Sequence, residues 1–425
     1  MKIRYIYSAC IEIETKNLRI LCDPWFTEGI YDGSWYQFPK IKDPLKILKK
    51  PDIIYISHIH PDHYDPVFLK SLFKKYGQIK VIIPNLEKNY LLFKARSDGI
   101  KVEPVDYLKL GKTHIHIVPN ITSSDSDIDS ALFVYDGENS VLNLNDNMWN
   151  DEQNKKLKNI IKKKTNKIDL LALGYTGAGP YPQTYYNIKT QKKILLKKAK
   201  IKENDFINRY LKYKNFFNSN FNLPFAGKYI LGGKLHKLNN YRGVIDPIKI
   251  KKYDKSAIIL DDFGRGEINL INGKISKLRN KPYSKKSISK RIKEVKKNIM
   301  NYEKDIKISH NKINFYRIIK KAYDNAILKS ELKKNYYFLI NITYEKKSVG
   351  KFIFNCNKKK NFFSLYDSKI KPASEIIIDY RYLFGLLTGL YHWNNAEVGS
   401  QTQVKRNPDV YSRSAQQFLN FMTCV

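Results

Sequence analysis

The spacing of apolar and polar positions lays out the chain before any single residue does. KIRYIY, CIEIE and LRILC, all within the first 22 residues, alternate with a period of two and are broken by a turn at Lys16-Asn17. They predict a half-buried hairpin with a third strand beside it. DPWFTEGIYDGSWYQFP follows, and Pro24, Gly29, Gly33 and Pro39 interrupt both periodicities, so this stretch predicts a loop. IIYIS, residues 53–57, is an unbroken apolar run of strand length that predicts a buried strand ending in histidines. DPVFLKSLFKKYG then predicts an amphipathic helix, with Asp65 as its cap, Pro66 in its first turn and Gly77 just past its end.

VIIP, a helical stretch near 86–95, KVEPV, HIHIV, ALFVY and VLNLN come next, with the last pair of strands joined at Gly137. Residues 151–164 read as a basic helix and IDLLALGY as another buried strand. Strands and helices that alternate in this way predict an α/β layered domain, extending over 1–270. Within it, 187–217 read as a very basic helix, and FNLPFAGKYILGGKLHKLN as a glycine-punctuated strand and loop. Residues 271–335 are Lys-rich with helical apolar spacing at Ile288, Ile292, Val295 and Ile299, which predicts a basic helical connector. YYFLINITY, KFIFNC, NFFSLY and SEIIIDY are strand-like and RYLFGLLTGLYHW helix-like, so 336–425 predict a smaller C-terminal α+β domain.

Composition narrows the class. The chain has 425 residues, 42% hydrophobic and 13% aromatic, enough for two or three packed units, which excludes wholesale disorder and collagen-like repetition. No window reaches the ~18 consecutive apolar residues of a bilayer span. Glu12 and Glu14 stand where a signal peptide is apolar, so a soluble cytoplasmic protein is expected. Cys10, Cys22, Cys356 and Cys424 show no C-x-x-C spacing, which argues against a disulfide framework and a thiolate zinc site. None is followed two residues later by His, so no Rieske cluster is expected in this chain. The formal charge of +37 comes mostly from lysines scattered among Ile, Asn and Tyr. That distribution reads as compositional drift, and nucleic acid is not the expected partner.

The chemistry concentrates in YISHIHPDHYDP, where His58, His60, Asp62 and His63 form H-x-H-x-D-H directly after the predicted strand. Imidazole nitrogens and carboxylate oxygens suit zinc, iron or manganese, and a tight loop at a strand end lets them converge. His58 and His60 can serve one ion while Asp62 and His63 turn to a second, as two-metal hydrolytic sites require. With a single ion, Asp62 is instead available as general base, and Asp62 with His63 forms the expected catalytic pair.

H-x-H-x-D-H after an apolar strand, preceded by a hairpin ending in L-x-D-P, resembles the metallo-β-lactamase superfamily. The resemblance implies a four-layer αββα sandwich. Within that superfamily, CDPWFTEGIYDGSW, DIIYISHIHPDH, DSALFVYDGENSVLNLND, GAGPYPQTYY, LPFAGKYI and EVGSQTQVKRNPDVY are similar to the CMP-N-acetylneuraminate hydroxylase family. The resemblance implies His58 and His60 on the first ion, Asp62 and His63 on the second, and Asp146 as the bridging carboxylate. Asp125 occupies the place of the family's next histidine, where a ligand and an ordinary polar loop both fit. Gly233 stands at a later family histidine, and His236, three residues on, is the substitute the chain offers.

Two divalent ions (zinc, iron or manganese) are therefore expected, with a sugar or sugar nucleotide as substrate. Oxygenation would call for a separate electron-donor protein, while hydrolysis of an ester, lactone or phosphodiester would not. Trp25, Tyr175, Gln183, Tyr185 and Arg406 are the expected substrate contacts, by stacking and by pairing with phosphate. The C-terminal part is similar to sterol-carrier-like modules, which implies an apolar pocket or a homo-oligomer contact.

Overall fold

A computed structural model describes residues 1–120, 128–146, 151–280, 283 and 285–425. The period-two segments pair as expected. Lys2–Tyr7, Cys10–Glu14 and Arg19–Cys22 run antiparallel, and Ile53–Tyr55, Lys80–Ile83 and Glu103–Pro104 extend the same sheet in parallel. The hairpin Gly266–Ile271 with Lys274–Arg279 completes eight strands on the other edge. It carries the first sheet past residue 270, where the connector was expected to begin, because Lys2 to Tyr5 would otherwise leave an unpaired edge.

A second sheet of six strands runs from Tyr107–Leu110 through Thr113–Pro119, Ser130–Tyr135, Ser140–Asn143 and Leu170–Gly174 to Phe221–Phe225. The two sheets face each other. Ile3, Ile11, Ile13, Tyr55 and Ile82 from the first meet Ile117, Leu132, Val134, Leu170 and Phe225 from the second in one dry layer. Helices cover both outer faces. Leu69 and Leu72 of Pro66–Tyr76 and Leu91 of Tyr90–Ser97 pack with Ile54 and Val81, while Leu157, Ile161 and Tyr210 from Asp151–Lys162 and Lys192–Phe217 pack with Phe133 and Leu171. The order is thus αββα.

The last part has its own five-stranded sheet, in the order Phe362–Leu365, Lys347–Asn355, Tyr337–Tyr344, Ser374–Asp379, Gln403–Arg406. Phe315–Lys329, expected as part of the connector, packs Ile319, Ala322 and Tyr323 into the same core as Phe338, Ile340 and Phe354 of this sheet. That core is continuous with Tyr31, Trp35 and Tyr302, so the C-terminal unit is seated against the loop that follows the first three strands. Among the described residues no helix is long and apolar enough to cross a membrane.

Candidate metal centre

The parallel strands Arg19–Cys22 and Ile53–Tyr55 end side by side, and each hands a polar residue to the same point. Asp23 takes a left-handed backbone, φ +43°, immediately after its strand and is fully buried. Its carboxylate accepts from the Ser57 amide at 2.7 Å and the Ser57 hydroxyl at 2.7 Å. It also lies 2.9 Å from His63 Nδ1. A turn in which the His63 and Tyr64 amides donate to the His60 carbonyl folds the loop back on itself, so the rings of His58 and His63 meet with centroids 3.9 Å apart and planes tilted by 44°.

The second sheet contributes Asp146. Asn145, at φ +50°, ends the turn after Ser140–Asn143, and its side-chain amide donates to Tyr55 Oη at 3.2 Å and to the Ser130 carbonyl at 3.0 Å. Ser130 in turn donates its hydroxyl to the Ser57 carbonyl at 2.9 Å. This buried polar web ties the two sheet ends together and fixes where Asp146 projects. Asp146 Oδ2 lies 3.8 Å from both His58 Nε2 and His63 Nε2. One ligand atom from each of His58, His63 and Asp146 falls within 4.8 Å of the others. His60 Nδ1 is 2.9 Å from His58 Nε2 on one side, and Asp62 Oδ2 is 3.7 Å from His63 Nε2 on the other.

The electrostatics match this crowding. Burial holds His58 well below its usual range, with His63 and His60 adding to the effect. Burial also pushes His60 down to about 4, against the pull of Asp62. For His63 burial is outweighed by Asp23, Asp62 and Asp146, which raise it to about 10. Burial and the neighbouring Asp146 push Asp129 up to about 7. Asp146 rises to about 6 through dehydration in the cleft and the repulsion of Asp62 and Asp23, with His63 opposing. Asp129 Oδ1 stands 3.2 Å from His58 Nδ1 but off the line of a hydrogen bond, and has no other partner. An orphaned buried carboxylate oxygen among so many acids and imidazoles is what a divalent cation relieves, so the residues present fit metal ions.

Asp23 and Asp129 carried no site role in the sequence. Both immediately adjoin strands, in L-x-D-P and in DSALFVY, and that adjacency is the only local mark they bear. Asp125 lies outside the described residues. His236 sits on the 3-10 turn Gly233–Tyr241, its Nδ1 2.9 Å from the Gly233 carbonyl, and is not among the converging ligands.

A cavity of about 110 Å³ opens beside the cluster, bounded by Asp62, Asn145 and Asp146, by the aromatic rings of Trp35, Tyr229 and Phe206, and by the small residues Gly174, Gly177, Ala178, Ala226 and Gly227. Trp35 and Tyr229 stack 3.3 Å apart, 7° from parallel. The expected substrate contacts lie elsewhere. Trp25 is core, its indole N–H donating to the Thr27 carbonyl, and Tyr175 is fully enclosed. The Gln183 amide donates to the Gly179 carbonyl and Ser400 Oγ. Tyr185 and Arg406 line a separate cavity of about 30 Å³ against the C-terminal sheet, where Arg406 pairs with Asp409. Periodicity marks an aromatic residue as buried but not which cavity it borders; of the aromatics in the early loop it is Trp35, with Tyr229, that lines this one.

Residues 2–140 match a family model described as "Beta-lactamase superfamily domain". A protein of Mycobacterium tuberculosis (strain ATCC 25618 / H37Rv) described as a Rieske 2Fe-2S iron-sulfur protein is 30% identical over 195 residues, 44% of this chain and 36% of that protein. The cytidine monophosphate-N-acetylneuraminic acid hydroxylase of Danio rerio is 26% identical over 148 residues, 33% of this chain and 25% of that enzyme. The matched region thus spans about a third or less of each relative's length. Among solved structures, an isothiocyanate hydrolase from Delia radicum gut bacteria superposes with a TM-score of 0.43 at 12% identity, over 64% of this chain and 100% of that one.

Proposed function

We propose, from the premise that this chain carries a metallo-β-lactamase-fold domain matched over residues 2–140, that it is a metal-dependent enzyme with a dinuclear centre. In this reading it acts on a nucleotide-activated or otherwise anionic sugar, as a counterpart of the hydroxylase to which it is similar. The observation that carries the proposal is the convergence of His58, His63 and Asp146 within 4.8 Å, flanked by His60 and Asp62.

His58 and His60 would hold one ion, Asp62 and His63 the other, with Asp146 between them. Asp23 behind His63 and the Ser57 hydroxyl behind His58, 3.0 Å from its Nδ1, turn each Nε2 towards the site, the role that hydrogen-bond partners behind ligating histidines serve. Bound ions supply Lewis acidity and a hydroxide ligand at neutral pH and, if they are iron, redox capacity. The chain supplies the rest. The stacked Trp35–Tyr229 pair, almost fully buried, borders the cavity as a rigid apolar wall, and Trp35 Nε1 and Thr176 Oγ1 are buried there without partners. Among the described residues the cavity wall has no Lys or Arg, so in this reading the wall itself brings no fixed positive charge to the substrate's anionic group, and the counter-charge would lie at the cluster of His58, His60, Asp62, His63 and Asp146. Oxygenation would draw its electrons from a separate donor protein.

A second reading, hydrolysis of an ester, lactone or phosphodiester, is favoured by the 41% exposure of the Asp146 side chain, which lets water reach the cluster through the cavity. Elemental analysis of protein purified without added metal, paired with oxygen-uptake and hydrolysis assays on CMP-linked and free anionic sugars, tests both. Iron near two per chain with reductant-dependent, sugar-dependent oxygen uptake supports the first reading. Zinc or manganese with ester or lactone cleavage supports the second. Less than one ion per chain, unchanged in the His58→Ala/His60→Ala double variant, overturns both.

A further inference from the structure

The loop that reaches the cluster from behind is held in a backbone shape it would not keep alone. Tyr31 (φ 52°, ψ 52°) and Asp32 (φ 60°, ψ 38°) are successive non-glycine residues in the left-handed region. A side chain makes that backbone shape unfavourable at each position, so the surroundings must over-determine the loop. Those surroundings come from the C-terminal unit. The Gln401 side-chain amide, 8% exposed, donates to the Tyr31 and Asp32 carbonyls, both at 3.0 Å. Tyr382 donates its hydroxyl to Asp32 Oδ2 at 2.7 Å, Asn395 also hydrogen-bonds Asp32, and Ser34 donates to the Gly399 carbonyl. Gly399 has to be glycine-like in bulk, since a Cβ there would come within 3.1 Å of the Tyr31 Cβ and carbonyl oxygen.

The strained loop has a product at the cluster: the Tyr31 hydroxyl donates to Asp62 Oδ1 at 2.5 Å, leaving Oδ2 facing His63 Nε2. The same C-terminal segment reaches the other flank. Asn394, in the first turn of Trp393–Val398, sets its side-chain amide against His60, whose Nδ1 faces His58 Nε2. An amide oxygen that accepts from one ring nitrogen leaves the other with the lone pair that a metal takes.

We propose that segment 392–401 is a built-in part of the metal centre, with Asn394 orienting His60 directly and Gln401 orienting Asp62 through the backbone of Tyr31. Both are positioning residues, and the C-terminal unit is thereby a component of the site rather than an appended module. The inference rests on the metal-centre reading above.

The two residues serve different flanks, which gives the test a signature that general destabilisation would not produce. Metal-stripped full-length protein is titrated with cobalt(II) in competition with a chelating dye, and the visible cobalt absorption is recorded for each equivalent. Asn394→Leu weakens the equivalent bound through His60 by about tenfold or more, the usual scale for loss of a ligand's hydrogen-bond partner, and Asn394→Asp, which keeps an acceptor, restores it. Gln401→Leu weakens and spectrally shifts the equivalent bound through Asp62 while leaving the His60 equivalent near its wild-type value. Near-UV circular dichroism checks folding, and Asn394→Ser and Gln401→Ala replace any leucine variant that fails it. Both variants binding two cobalt ions with wild-type affinity and spectrum would overturn the proposal, as would equal weakening of both equivalents in each variant. Wild-type protein that takes up no cobalt would instead overturn the metal reading itself, and this inference with it.

Discussion

Replacing Asp23 by Asn leaves the size of the side chain unchanged but removes the charge beside His63 Nδ1, 2.9 Å away. In metal-free protein Asp23 comes first among the groups that raise His63 from its ordinary 6.5 to about 10. A group raised in the folded state stabilises fully below its unfolded value and loses that contribution as pH climbs through the folded one. The window is therefore pH 6.5 to 10. At about 1.36 kcal/mol per pH unit the whole displacement corresponds to at most about 5 kcal/mol. Asp62 and Asp146 share in it, so the part owed to Asp23 is taken as about 2 kcal/mol.

The wild-type curve alone cannot show this, because Lys202, half-buried and pushed down to about 7 by lost hydration and the nearby Arg242, titrates in the same window with the opposite sign. The difference between wild type and variant cancels Lys202, which the substitution does not touch. Urea unfolding of chelator-treated protein between about pH 6.5 and 10.5 is the assay, a range that passes the folded value of His63. The stability advantage of wild type over Asp23→Asn should shrink by about 2 kcal/mol across that range, on top of a pH-independent offset from the altered Ser57 bonds. A difference that stays flat, or grows, refutes the reasoning that Asp23 holds His63 charged.

Three further outcomes follow from the same geometry. Asp146→Asn should cut bound metal and activity together while apo-protein stability at pH 7 holds or rises, because it removes one of the mutually repelling acids; elemental analysis and urea unfolding check this. Trp35→Ala should destabilise by about 3 to 5 kcal/mol, since the ring is 2% exposed and stacked on Tyr229; intact stability in denaturant titration would contradict it. Gly177→Ala would place a Cβ 2.0 Å from Phe206 Cζ and drive that ring against the cavity it lines, so turnover of a large substrate should fall with metal content unchanged, measured as kcat/KM beside elemental analysis.

Much of the architecture was legible because local rules and tertiary packing agreed. The helix after the histidine loop begins at Pro66 and ends at Tyr76 as its cap and glycine predict, and Asp65 accepts from the Phe68 amide as a cap should. The same Asp65 also binds the Phe26 and Thr27 amides, a second use that no capping pattern announces. The strand Gln403–Arg406 was missed, since two of its four residues are exposed and it owes its conformation to pairing with Ser374–Asp379.

By itself the sequence determined that imidazoles and an acid gather at the end of a buried strand, because spacing of two and three residues in a tight loop confines them to one small volume whatever surrounds it. Only the tertiary structure decided which distant groups meet them. Asp146 arrives from the second sheet, beside an Asn145 bonded to Tyr55, Asp23 from a neighbouring strand end, and Asn394 and Gln401 from far along the chain, through contacts and buried hydrogen bonds whose partners are remote in sequence. Such bonds leave no local periodicity, since their geometry is fixed by how sheets and helices stack and not by the residues next to them.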